Sequence, residues 1–133
     1  MKEQFLTALP ALRNLLNWVK NKEELVGLDG RKYPIRSDHM ALNTLLQGAG
    51  AVVMKKALCM FFQRAEEVYG PHGKYWALCA NIHDEQQIEC IPLIAPGIGE
   101  MFVWAIEEAG RHFNLGCPLN GEYKMGLSWD KTH

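Results

Sequence analysis

Two adjacent acids behind a histidine, in the stretch "ANIHDEQQIEC" at residues 80 to 90, are the side chains best suited to chemistry in this chain. Asp84 and Glu85 offer the oxygen donors that hard divalent cations take, and Mg²⁺ is typically held by one or two carboxylates together with substrate phosphates and water. Neighbours on a regular strand point to opposite faces, so these two do not grip one ion together, and a second acid has to come from elsewhere. Asp29 sits in an Asp-Gly turn signal, Asp38 at a helix start and Asp130 in a short tail, each with a local structural use. Two readings of His83, Asp84 and Glu85 stand side by side: a solvated hairpin turn, or a site carried on the end of a rigid strand.

A polar, uncharged stripe is the second candidate. His39, Asn43 and Gln47 recur every four residues, which places them on one face of a helix. Amide donors there can meet purine N3 and pyrimidine O2, the minor-groove acceptors of every base pair, and so test base-pair geometry without reading sequence. Gly48 and Gly50 follow at once, and each costs a helix interior roughly 0.5–1 kcal/mol relative to alanine, so close approach of other backbone or internal packing is expected around them. His72, in "YGPHGK", is expected in solvent, and His112 near a helix C-terminus, where the dipole favours it. The basic pairs Arg31–Lys32 and Lys55–Lys56 read as solvated faces or as phosphate contacts.

The elements that must position these residues follow from periodicity. "YWALCANI" (75–82) is a nearly unbroken apolar run, the pattern of a strand covered on both faces. "QQIECI" alternates, with Ile88 and Cys90 on one face and Gln87 and Glu89 on the other. Two strands with almost nothing between them predict a tight antiparallel hairpin, with His83, Asp84 and Glu85 at its turn. Residues 3–20 place Phe5, Leu9, Leu12, Leu15, Leu16 and Val19 at helical spacing, with Pro10 marking a break or a second helix start. "ELVGLDGRKYPIR" predicts a small hairpin turning at Asp29–Gly30, with Pro34 on an exposed edge. Ser37 and Asp38 favour the start of a long helix from His39 to about Tyr69, stopped by Gly70 and Pro71. "PLIAPGIG" reads as a connector. Met101, Phe102, Ala105, Ile106, Ala109 and Phe113 then build an amphipathic helix, and Cys117 to Met125 a last strand beside the central hairpin. The expected class is α+β: a small antiparallel sheet built on a central hairpin, packed against a long helix and further helices.

With 133 residues, 48% hydrophobic and 22% charged, the chain is expected to fold as one soluble domain. Its apolar stretches are broken by charges or turns short of a membrane span, and residues 1–16 lack the features of a signal peptide, so a cytoplasmic location without membrane attachment is expected. A formal net charge of −1 suits poorly a protein that holds nucleic acid unaided. Cys59, Cys79, Cys90 and Cys117 form no C-x-x-C pair, which favours reduced, buried thiols over a zinc or redox motif.

Taken together, "GLDGRKYPIRSDHMALNTLLQGAGAVVMKKAL", "HDE" between two strands and the tail "KMGLSWDKTH" resemble, in order and approximate spacing, the C-terminal part of family A DNA polymerases. The likeness is to the phage replicative branch, because the link from "GLDGR" to the long helix is short and His39 stands where bacterial relatives usually have arginine. "NTLLQG" with a downstream "HDE" is specific in combination, and the resemblance covers most of the chain.

The resemblance implies roles position by position. Asp84 matches the palm aspartate that binds the catalytic metals, two Mg²⁺ ions in the complete active site; Glu85 matches its supporting acidic neighbour and His83 the residue beside the primer terminus. Gln47, Asn43 and His39 match the helix that contacts the primer–template duplex. Residues 1–38 correspond to a late-fingers helix and small hairpin, and residues 39–133 to the C-terminal palm segment, a partial palm. The second metal-binding aspartate and the fingers helix that holds the incoming nucleotide are not matched, so the chain is expected to act with an upstream polymerase segment or companion chain, on primer–template DNA and dNTPs, in a bacterial or phage-infected cell. Alone it is expected to be inactive and to self-associate. A non-catalytic DNA-binding or interaction module on the same scaffold and a small metal-dependent hydrolase are the alternatives.

Overall fold

In a computed structural model, residues 7–20, 22–35 and 37–132 are described, Asp38 and His39 by their backbone only. The helical position expected of Phe5 and the side-chain roles expected of Asp38 and His39 lie outside these residues. The helices α1 (Pro10–Val19), α2 (Asp38–Tyr69) and α3 (Ala95–His112) and two separate two-stranded antiparallel sheets make the fold α+β, as expected. The chain divides into two compact units, residues 1–50 and 51–133.

In the first unit, α1 begins at Pro10, which occupies its first turn, where a fixed φ and a missing N–H cost nothing. Strands β1 (Glu24–Val26) and β2 (Lys32–Pro34) pair with Leu25 opposite Tyr33, around the expected Asp29–Gly30 turn. Arg31 N–H donates to Asp29 Oδ1 at 3.2 Å, and Gly30 takes φ 79°, a conformation that the Cβ of other residues resists. Val19, Leu25 and Ala41 are buried, with Leu15, Tyr33, Ile35 and Leu45 packed on them. The Tyr33 ring lies against two glycines: a Cβ on Gly27 would sit 2.5 Å from it and one on Gly48 3.0 Å. A neighbouring side chain, rather than backbone, therefore explains Gly48, while nothing lies within 4 Å of a Cβ placed on Gly50. The basic pair Arg31–Lys32 is committed locally, Arg31 to Asp29 at 2.8 Å and Lys32 to Glu24 at 2.7 Å.

The core of the second unit runs along α2 at Val53, Ala57, Phe61 and Ala65, one residue per turn on one side, and along α3 at Ile98, Phe102, Ala105 and Ala109. Phe61 is its centre, with ring centroids 5.4 Å from Trp76 and 5.0 Å from Phe102. One stretch of α2 does reach the length and mean hydropathy (1.4) of a membrane span, contrary to the expectation from its charges. Ala57, Phe61 and Ala65 within it are wholly buried in this core, while only 22% of the stretch is buried.

α3 starts six residues earlier than expected, because the breakers of "PLIAPGIG" fit a helix start. A 3₁₀ turn at Pro92–Ile94 leads into it and Pro96 lies in its first turn. Gly97 and Gly99 leave room for the Tyr69 hydroxyl and the Tyr123 ring, which a Cβ would strike. No strand forms at 117–125: this segment is irregular, and its Leu119 and Tyr123 pack against α3 at Gly110 and Gly99. Pro118 and the glycines at 116 and 121 disfavour strand there.

Candidate functional site

Strands β3 (Trp76–Ile82) and β4 (Glu85–Cys90) form the expected hairpin. Trp76 opposite Cys90 anchors the open end in the core, with the Trp76 indole N–H donating to Gly70 C=O at 3.0 Å. Ile82 pairs with Glu85, so His83 and Asp84 are the two loop residues and Glu85 is the first of β4. His83 has φ 53°, the positive angle that the first position of a two-residue hairpin loop requires and that glycine or asparagine usually supplies. A histidine there costs about 1–2 kcal/mol of backbone strain.

β3 is not covered on both faces as expected. Trp76 is buried, but Cys79, Asn81 and Ile82 are exposed. A bulge explains the change: Leu78 pairs with Ile88 and Ala80 with Gln87, leaving Cys79 without a partner. An unbulged register would pair Asn81 with Glu85 and enclose Ile82 in a three-residue loop. The bulge therefore sets the loop at two residues and Asp84 at its second position.

Side chains alternate along β4 as expected. Ile88 and Cys90 pack on the core, and Glu85, Gln87 and Glu89 take the opposite face. Asp84 is exposed and makes no hydrogen bond or ion pair among the described residues. Glu85 is held by the C-terminal segment, whose 3₁₀ turn (Trp129–Lys131) lies against this face. Trp129 Nε1–H donates to Glu85 Oε1 at 3.0 Å, Gln87 Nε2–H donates to the same oxygen, and Thr132 Oγ1 lies 3.3 Å from Gln87 Oε1. Sequence reasoning missed these tail residues, because Trp129 and Glu85 lie 44 residues apart with no local pattern linking them. Asp130 has the local use expected of it: the Ser128 hydroxyl, and then Lys131, hold its carboxyl below the usual range.

No group of three His, Cys, Asp or Glu able to hold a metal occurs among the described residues. The helical stripe belongs to the first unit, where Asn43 and Gln47 are exposed on α2 and make no hydrogen bond among the described residues.

His72 is exposed, as expected, and also makes local contacts: its Nε2 accepts the Leu78 N–H at 3.0 Å and its ring stacks on Phe62 at 5.3 Å. One expectation about other residues is corrected. The cysteines are free but not buried, with Cys59, Cys79 and Cys117 exposed and Cys90 half-buried. His112 lies with Arg111 in the last turn of α3, as the dipole favours.

No family model matches the chain. Over its whole length it is similar to a segment of phage DNA-directed DNA polymerases: 35% identical to that of Enterobacteria phage T3, 36% to that of Escherichia phage Phieco32 and 35% to that of Escherichia phage T7. All of this chain is covered in each comparison, but only 22%, 23% and 22% of the respective relatives, so the chain spans about a fifth of their length.

Proposed function

We propose that this chain is the C-terminal palm segment of a family A DNA-directed DNA polymerase of the phage replicative type, working within the complete enzyme on primer–template DNA and dNTPs in the cytoplasm of an infected bacterium. The reading is carried by Asp84: an exposed carboxylate at the closed end of a hairpin anchored in a core at its other end, in a chain similar throughout to phage polymerases. Residues 1–38 are then the late-fingers helix and small hairpin, and residues 39–133 the palm segment.

One exposed carboxylate fits the donor set of Mg²⁺, which takes one or two carboxylates and completes its shell with phosphate and water. Asp84 would hold this chain's share of a two-ion site, with a second aspartate from an upstream palm strand. Bound Mg²⁺ supplies activation of a primer 3′-hydroxyl and stabilisation of a departing pyrophosphate. Glu85 supports Asp84 from the adjoining strand position, and His83 orients the primer terminus beside it. Asn43, Gln47 and His39 contact the duplex, the exposed amides donating to minor-groove acceptors. By itself the chain does not extend a primer.

The test is to mix the chain with a polypeptide carrying the upstream palm and fingers and to measure primer extension. Extension that needs both parts and is abolished by Asp84→Ala is expected; undiminished extension with Asp84→Ala refutes the reading. Tight primer–template binding by the chain alone at moderate salt, lost in Gln47→Ala and indifferent to Asp84→Ala, would instead favour a non-catalytic DNA-binding module, to which the exposed amides are also suited.

A further inference from the structure

We propose that the C-terminal turn is a positioning element for the acidic hairpin tip, with Trp129 as the residue that fixes the Glu85 carboxylate; the role in catalysis rests on the polymerase reading above. Glu85 projects from the face of β4 opposite Ile88 and Cys90, where the C-terminal turn meets it. The restraint comes from hydrogen bonds. Glu85 Oε1 accepts from Trp129 Nε1 at 3.0 Å and from Gln87 Nε2, while the Thr132 hydroxyl, with one proton to give, has Gln87 Oε1 at 3.3 Å and the Trp129 carbonyl at 3.1 Å as alternative acceptors. Thr132 N–H also donates to that carbonyl at 2.9 Å, closing the turn beside the strand.

The chemistry of these contacts is directional. An indole N–H only donates and an ionised carboxylate only accepts, so the Trp129–Glu85 bond has one sense. Gln87 donates from its nitrogen to Glu85, which turns its oxygen toward Thr132. The adjoining Asp84 has no such holder among the described residues. The tail therefore immobilises the supporting acid and leaves the ligand acid exposed, a division of labour that suits a two-acid sequence in which only one carboxylate faces the ions.

The contact is tested on the full chain by the NMR resonance of the Trp129 indole N–H, assigned with Trp129→Phe. The resonance is expected to move in Glu85→Gln and to move little in Asp84→Asn; no movement in Glu85→Gln overturns the inference whatever reaction the chain serves. Its consequence is tested in the reconstituted enzyme, where Trp129→Phe keeps an aromatic side chain and removes the indole N–H donor. The Mg²⁺ concentration for half-maximal extension should rise about tenfold with primer–template affinity unchanged, the usual scale for losing a group that orients a metal-site residue. Glu85→Gln should give a similar rise, and the double variant no more than either alone. An unchanged Mg²⁺ requirement in Trp129→Phe overturns the positioning role even where Asp84→Ala abolishes extension. Extension that survives Asp84→Ala refutes the polymerase reading instead and leaves the indole measurement to decide the contact.

Discussion

The backbone N–H of Leu78 donates to Nε2 of His72 at 3.0 Å, so an imidazole from the preceding turn satisfies a donor on the outer edge of β3. The Trp76 carbonyl on the same edge accepts from Gly73 N–H at 2.8 Å. A lone hairpin has two open edges, and here the turn after α2 closes the first part of one of them. Nε2 must be unprotonated to accept, which assigns the ring proton to Nδ1.

His72→Ala should therefore destabilise the chain by about 1–3 kcal/mol, from a lost hydrogen bond and a lost ring contact with Phe62. His72→Phe keeps the stack and should recover about half of the loss. Urea unfolding measures both, and equal midpoints for wild type and His72→Ala would show that the contact contributes nothing.

Glycines 27 and 50 should respond in opposite directions. A Cβ on Gly27 would meet the Tyr33 ring at 2.5 Å, so Gly27→Ala should cost about 1–3 kcal/mol through overpacking. Gly50 lies inside α2 with open space around it, so Gly50→Ala should add about 0.5–1 kcal/mol of stability. Thermal unfolding of the two variants gives the sign directly.

Cysteine reactivity should separate one thiol from three. Burial, and then the charge of Glu89, push the Cys90 thiol up, so at any given pH it has less of the thiolate that reacts. Under limited iodoacetamide at neutral pH, peptide mass spectrometry should find Cys59, Cys79 and Cys117 modified before Cys90. Equal rates at all four would contradict the burial of Cys90.

Self-association is the fourth expectation. Leu93 is 87% exposed, Met125 57% and Trp129 50%, and β3 and β4 form a two-stranded sheet with no further strand beside them among the described residues. Light scattering should give a mass above that of one chain as concentration rises; a monomer mass throughout would exclude it.

The parts of the fold that were legible in the sequence are those set by short-range pattern. The central hairpin, the Asp29–Gly30 turn and the ends of α2 follow from periodicity and from residues with special φ. The start of α3 was hidden because Pro96, Gly97 and Gly99 carry the composition of a loop, and only the neighbouring Tyr69 and Tyr123 explain the glycines. The bulge left no mark, since Cys79 is one more apolar residue in an apolar run. At the site, the exposed turn position of Asp84 was readable from the sequence, whereas the hold of Trp129 on Glu85 joins distant segments and emerges only from tertiary packing.

The unpaired residue at Cys79 also gives the ribbon an adjustable spacer. Counting alone would tie the distance between the Trp76 anchor and the acidic end to the side on which each residue projects. One surplus residue loosens that tie: losing it would straighten β3 while Ile82 still met Glu85. A chain without that residue would keep the same closed end, with the acid still at the second loop position.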